Sequence, residues 1–213
     1  MVFTPVDQAA WPRAQMYYYF SQMAPTGYSM TVDVDVTHLY EAVHRMGVKF
    51  FPAYLWLVTK AIAAVPELRT AVKDGAVGYW DVLTPLYPVM HEDGNISLMW
   101  TEYDPSFEAF FAAYLENAEQ HKDVRGVLGR PGLPPENAYT VSCIPWVGFK
   151  HFAIHSYDNK PYYFPSIEAG KYRTENGKRL MPLSVTCHHA TTDGLHVARF
   201  LEELQHGMDT FGA

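Results

Sequence analysis

Between Tyr28 and Val36 the chain alternates without a break. Tyr28, Met30, Val32, Val34 and Val36 are apolar, and Ser29, Thr31, Asp33 and Asp35 between them are polar. Successive side chains of a strand point to opposite faces, so this run predicts a β-strand with one buried face. Such a strand cannot bury its apolar side alone; it demands partner strands and a layer to cover them. The chain must therefore fold around a sheet, and the segments on either side decide which kind.

Helical patterns supply the cover. Pro12 suits the first turn of a helix ending near Met23, ahead of the breakers Pro25 and Gly27. Thr37 is expected to cap a helix running toward Gly47, and Pro52 to open another through Ala64, whose nearly all-round apolarity predicts heavy burial. Asp104, followed by Pro105, is expected to cap a helix bearing Phe107, Phe110, Phe111, Tyr114 and Leu115 down to His121, and a last helix runs from Gly194 to about Met208. Strands are expected at Gly78 to Trp80, Pro85 to Met90, Ile96 to Trp100, Tyr139 to Ile144, Phe149 to His155 and Leu180 to His188, with a hairpin turn across Glu92 to Asn95. Helices and strands interleave without the strict repeat of a doubly wound fold, which predicts an α/β protein with a mixed β-sheet packed with helices. The irregular run Arg125 to Asn137 reads as a loop, and no repeat or low-complexity tract divides the chain, so residues 1–213 are expected to form a single domain.

Composition excludes several function classes. With 48% hydrophobic and only 18% charged residues, the chain has enough apolar surface to offset the entropy of ordering. Sixteen Lys and Arg against 23 Asp and Glu leave a charge of -7 with no local basic cluster, so no nucleic-acid partner is expected. The most apolar stretch, Phe50 to Val58, soon meets Lys60, and the amino terminus lacks the pattern of a secretory signal; no membrane association and a cytoplasmic location are expected. The two cysteines, Cys143 and Cys187, lie in apolar surroundings and read as reduced, packed thiols.

Residues with chemical potential concentrate where the last strand meets the last helix, in Cys187, His188, His189, Ala190, Thr191, Thr192, Asp193 and Gly194. Side-chain alternation prevents His188 and His189 from facing one side of a regular strand, so at most one enters a common pocket. The same alternation argues against convergent metal ligands, and no metal is expected. A neutral imidazole beside an acid at a strand-to-helix turn suits a general base, worth roughly 10² to 10⁴ in rate; the competing reading is a hydrogen-bonded core histidine.

His188, His189, Asp193 and Gly194 spell HHxxxDG, and the run HHATTDGLHVARFLEELQ resembles the carboxyl-terminal signature of the type A chloramphenicol acetyltransferases. The short motif also occurs in dihydrolipoamide acyltransferase cores. Trp11-Pro12-Arg13, Val141-Ser142-Cys143-Ile144-Pro145-Trp146, and Gly170-Lys171-Tyr172 with Leu180-Met181-Pro182-Leu183 match the former family in order, and a lipoyl segment is not expected. The resemblance implies a two-layer sandwich of the chloramphenicol acetyltransferase kind, a homotrimer with active sites between subunits, and acetyl transfer from acetyl-CoA to a hydroxyl of chloramphenicol, a resistance activity. His189 matches the base, Ser142 the hydroxyl that bonds the oxyanion, and Asp193 a carboxylate paired with Arg13 in structural support. Tyr19, Phe20, Thr26, Tyr28, Tyr162 and Glu168 match acceptor-pocket positions, and Lys171 and Tyr172 the coenzyme path. Phe20 stands where the familiar enzymes carry tyrosine, Glu168 where they carry threonine, and Ala-Thr-Thr where Ala-Val-Cys is common. Another hydroxyl or thiol acceptor, or a catalytically idle binding homologue, are the alternative readings.

Overall fold

The computed structural model describes residues 1–155 and 162–213. In chain order it runs through β1 (Phe3–Pro5), α1 (Ala14–Tyr18), β2 (Gly27–Asp35), α2 (Thr37–Met46), α3 (Phe50–Ala63), β3 (Thr70–Lys73) and β4 (Ala76–Trp80). There follow β5 (Thr84–Met90), β6 (Ile96–Trp100), α4 (Phe107–Gln120), β7 (Ala138–Ile144), β8 (Ser166–Gly170), β9 (Arg173–Glu175), β10 (Lys178–His188) and α5 (Gly194–Thr210).

The alternating run becomes β2, which pairs antiparallel with β10 from Leu180 opposite Asp35 to His188 opposite Gly27. The main sheet has seven strands in the order β2-β10-β8-β7-β5-β6, with β9 beside β10. Its β5-β7 and β7-β8 pairs are parallel and the rest antiparallel, which makes the mixed sheet expected of the α/β fold. The β5-β6 hairpin closes across His91 to Asn95, where Gly94 takes φ 80°. A small antiparallel sheet of order β1-β4-β3 lies apart from it.

Registered partners share a face of a sheet, so the pairing assigns both faces. Val141, Ile167 and Val185 form one row across β7, β8 and β10 and are fully buried with Leu183 and Ala169 in the core. Helix α3 covers this side: Ala53, Tyr54, Leu55, Leu57, Val58 and Ile62 are all buried, as its apolarity demands, and Val197, Phe200 and Leu204 of α5 join the same cluster. Pro52 sits in the first turn of α3, where a missing N–H costs no helical bond. The opposite face carries another row, Thr31, Ser184, Glu168 and Ser142, across β2, β10, β8 and β7.

Several local expectations are corrected. Phe149 to His155 is not a strand; it crosses the polar face as irregular chain, with the Phe152 amide donating to Thr31 Oγ1 at 3.4 Å and Ser184 Oγ donating to the Phe152 carbonyl at 2.6 Å. The strand position belongs to β8, whose sequence Ser-Ile-Glu-Ala-Gly is buried on both faces and shows too little apolar contrast to be recognised. Gly170 is required there, because an added Cβ would lie 2.7 Å from the Phe149 ring. Ser106, not Asp104, caps α4, accepting from the Ala109 amide. Thr37 is the first residue of α2 rather than its cap; Asp35 Oδ1 accepts from the Thr37 amide and hydroxyl instead. The first helix is regular only through Tyr18, then widens into a π-helical turn over Tyr19–Met23 in which the Ala24 amide reaches back to the Tyr19 carbonyl.

Candidate active site

At the end of β10 the regular strand stops at His188, and the chain turns through Ala190, Thr191 and Thr192 into α5. The turn is drawn together on the His188 carbonyl, which accepts from the Thr191 and Thr192 amides and from both threonine hydroxyls, all at 3.2 Å. Threonines suit this turn because the methyl group can be buried while the hydroxyl satisfies the carbonyl; all three residues of Ala-Thr-Thr are fully buried. Asp193 then caps α5, accepting from the Leu195 amide while its own amide donates to His196 Nδ1.

Leaving the strand at His188 separates the two imidazoles. His188 packs edge-on to Tyr163, with ring centroids 4.9 Å apart, and its Nδ1 accepts from the Ala190 amide. Burial, helped by the charge His189 can carry, lowers the pKa of His188 below the ordinary histidine value, so it remains a neutral packing group. His189 lies on the other side of the turn, where its amide donates to the Thr26 carbonyl at 2.8 Å. Its ring stacks on Phe20 at 4.1 Å and 20°, and Tyr28 meets it edge-on at 5.3 Å. Nδ1 of His189 lies 2.9 Å from the Thr192 carbonyl. A carbonyl only accepts, so Nδ1 carries the proton and Nε2 keeps its lone pair, the tautomer a base requires.

Arg13, immediately before α1, holds the turn from outside. Its Nη1 donates to Asp193 Oδ2 at 2.9 Å, Nε to the Ala190 carbonyl at 3.0 Å and Nη2 to the His189 carbonyl at 3.0 Å. Burial alone would raise the Asp193 carboxyl; the Arg13 bond, the nearby His196 and the Leu195 amide outweigh it and hold the group below the usual carboxylate range. Tyr28 donates to Thr192 Oγ1 at 3.3 Å, and burial keeps its phenol neutral. The sequence placed Thr192 in this turn without revealing its role. Its useful group is a backbone carbonyl, which side-chain pattern cannot reveal.

Thus His189, Arg13, Asp193, Phe20, Thr26 and Tyr28 come together, with Tyr19 edge-on to Phe20 and 48% exposed. The remaining candidates lie elsewhere. Ser142 is half-buried on β7, and Glu168 is its registered partner on β8. Ser184, opposite Glu168, precedes His188 by four residues, so Ser142 lies about 13 Å along the sheet and about 10 Å across it from His188. Tyr162 donates to the Ala138 carbonyl at the start of β7. Glu168 is fully buried on a strand, and burial raises its pKa to about 7 despite the bond from Ser166. Lys171 lines a cleft of about 480 Å³ together with Phe149, Lys150, Asp33 and Arg173. Arg173 is already paired with Asp33 at 2.7 Å and with Glu175 at 3.1 Å, whereas Tyr172 rests against Tyr40 at 5.7 Å. Burial pushes the Cys187 thiol up to about 12 and that of Cys143 to about 11, so neither is poised as a nucleophile. Among the described residues no group of three or more His, Cys, Asp or Glu gathers as a metal site, and no helix is long and apolar enough to cross a membrane.

The family model described as chloramphenicol acetyltransferase matches residues 1–205. A chloramphenicol acetyltransferase from Clostridium perfringens is 35% identical over 207 residues, covering 96% of this chain and 94% of that protein. One from Campylobacter coli is 37% identical, covering 96% and 98%. Among solved structures, a chloramphenicol acetyltransferase superposes with a TM-score of 0.83 at 23% identity over 96% of this chain and 99% of that one. The cubic core of a pyruvate dehydrogenase multienzyme complex follows the same fold at a TM-score of 0.64 and 17% identity, covering 99% and 97%.

Proposed function

Because the chain belongs to the chloramphenicol acetyltransferase family, we propose a route by which it works as an acetyl-CoA-dependent O-acetyltransferase on chloramphenicol, conferring resistance. The observation that carries the route is the contact of His189 Nδ1 with the Thr192 carbonyl, which leaves the Nε2 lone pair without a partner among the described residues. Nε2 takes the proton of the acceptor hydroxyl as its oxygen attacks the thioester carbonyl. The tetrahedral oxyanion receives a hydrogen bond from Ser142 Oγ. Collapse of the intermediate breaks the carbon–sulfur bond, and the His189 imidazolium returns its proton to the departing thiolate. No acyl-enzyme forms. Arg13, paired with Asp193, supports this arrangement by fixing the carbonyls of the base itself and of Ala190 after it.

The separation of Ser142 from the His189 turn within one chain supports active sites between subunits. One copy cannot place both groups on a single carbonyl, whereas a neighbouring copy in a closed ring can bring its β7 face to the first copy's His189. We therefore read the working enzyme as a homotrimer of single-domain chains, located with its acetyl-CoA in the cytoplasm. The acceptor ring lies against Tyr19, Phe20 and Tyr28 beside Thr26, with Tyr162 and the Glu168 region contributed across the interface. Those flat apolar walls suit a compact aromatic acceptor. Lys171, aided by Lys150, meets the coenzyme's phosphates at the cleft, with Tyr172 beside it. Thiol release from acetyl-CoA, measured with chloramphenicol and with an analogue lacking its primary hydroxyl, tests the reading. Release should require that hydroxyl; equal release with the analogue rejects the acceptor geometry, and drug binding without release favours an idle homologue.

A further inference from the structure

The polar row across the sheet ends in an unmatched pair. Thr31 and Ser184 are engaged by the backbone of Phe152, and Ser166 Oγ donates to Glu168 Oε1. Glu168 Oε2 is buried and has no hydrogen-bond partner among the described residues. A buried polar atom left so carries its desolvation cost uncompensated, which asks for a partner in the working state. The next residue in the row is Ser142, the registered neighbour of Glu168 on the same face, about 5 Å away between side-chain bases. We propose that Glu168 is a positioning residue that holds the Ser142 hydroxyl for the oxyanion through a hydrogen bond between Oε2 and Ser142 Oγ. The inference rests on the oxyanion role given to Ser142 above.

The protonation state of Glu168 decides the sign of its effect. A carboxylic acid donates to Ser142 Oγ and leaves the serine proton free for the oxyanion; a carboxylate only accepts, so it draws that proton to itself and sets a negative charge beside the developing one. Burial places the change near neutral pH. The titratable groups that sense the carboxyl are Tyr54 of α3, Tyr162 and Cys187 of β10, all kept neutral by burial. The segment over this face carries Lys150, His151 and His155, and among the described residues none of them forms an ion pair with Glu168.

The test uses the full chain and has two independent readouts. The protonated carboxyl stretch of Glu168, isolated as the infrared difference between the protein and Glu168→Gln, should shift in frequency when Ser142 is changed to Ala; an unmoved band overturns the bond whether or not the protein turns over chloramphenicol. In kinetics, the ratio of parent to Glu168→Gln turnover should fall about tenfold from pH 6 to pH 8 with KM values steady. A flat ratio overturns the positioning role, since a merely structural glutamate would alter both limbs alike. Should Glu168→Gln not fold, Glu168→Thr, uncharged and suited to a strand, replaces it in both measurements. Absence of turnover in the parent at every pH would sink the acetyl-transfer reading alone, leaving the infrared shift to decide this one.

Discussion

Arg13→Ala tests how the first helix governs the catalytic turn. The guanidinium makes three bonds to that turn, and the side chains of Arg13 and Asp193 are 12% and 33% exposed. Hydrogen bonds to charged groups contribute about 1.5 to 3 kcal/mol each, but water can reach Asp193 and resolvate part of what the arginine leaves, so the loss should be roughly 3 to 4 kcal/mol. Asp193→Asn keeps a side-chain oxygen to cap α5 and loses only the charge, so about 1 to 2 kcal/mol is expected. The double variant should then lose roughly 1 to 2 kcal/mol less than the sum of the singles. Arg13→Lys should rescue little, because one ammonium cannot span two carbonyls and a carboxylate. Urea unfolding at one fixed protomer concentration, alongside turnover, measures both effects. The pH dependence follows from the lowered Asp193 pKa: its stabilisation is full above the unfolded value of 3.8 and is lost as pH falls through the lower native one, and Arg13→Ala should flatten that acid limb. Losses that add to within about 0.5 kcal/mol would refute the coupling.

Four further outcomes are expected. His189→Ala should abolish most acetyl transfer and leave the fold intact, whereas His188→Ala should cost about 1 to 2 kcal/mol of stability through its lost Ala190 and Tyr163 contacts; a folded, fully active His189→Ala protein would reject the base. Ser142→Ala should lower kcat by about 10² to 10³ with the acceptor KM little changed, and an unchanged kcat would reject the oxyanion role. Inactive His189→Ala and Ser142→Ala proteins, unfolded together in equal amounts and refolded, should regain about one quarter of parental activity if each site draws on two copies, and none if each site is internal. For Glu168, a native pKa of about 7 against an ordinary 4.5 means the folded state holds the extra proton, so stability should fall by roughly 3 kcal/mol as pH rises from about 4.5 to 7 and stay level beyond; a Glu168→Gln protein with the same slope would contradict this.

The candidate site was legible where its chemistry lies in side chains close in sequence. HHxxxDG placed the base, its neighbour and the capping aspartate within seven consecutive residues, and alternation predicted that at most one histidine enters the pocket, although the end of β10 at His188 is what parts them. The partner of His189 Nδ1 escaped because it is a carbonyl, and every residue carries one. Glu168 escaped as a buried group because glutamate ordinarily signals solvent, and β8, which holds it, has Ser, Glu and Gly at three of five positions.

Local pattern alone determined the buried face of β2, the all-round burial of α3, the β5-β6 hairpin and the strand-to-helix turn after His188, because periods of two and 3.6 residues and turn chemistry act over a few neighbours. Only the tertiary structure decided that β8 and not Phe149 to His155 enters the sheet, that Arg13 reaches 180 positions along the chain to Asp193, and that Ser142 and His189 stand apart within one chain. Those outcomes depend on which distant strands pair and in what register, a competition among long-range contacts that no stretch of neighbouring residues encodes.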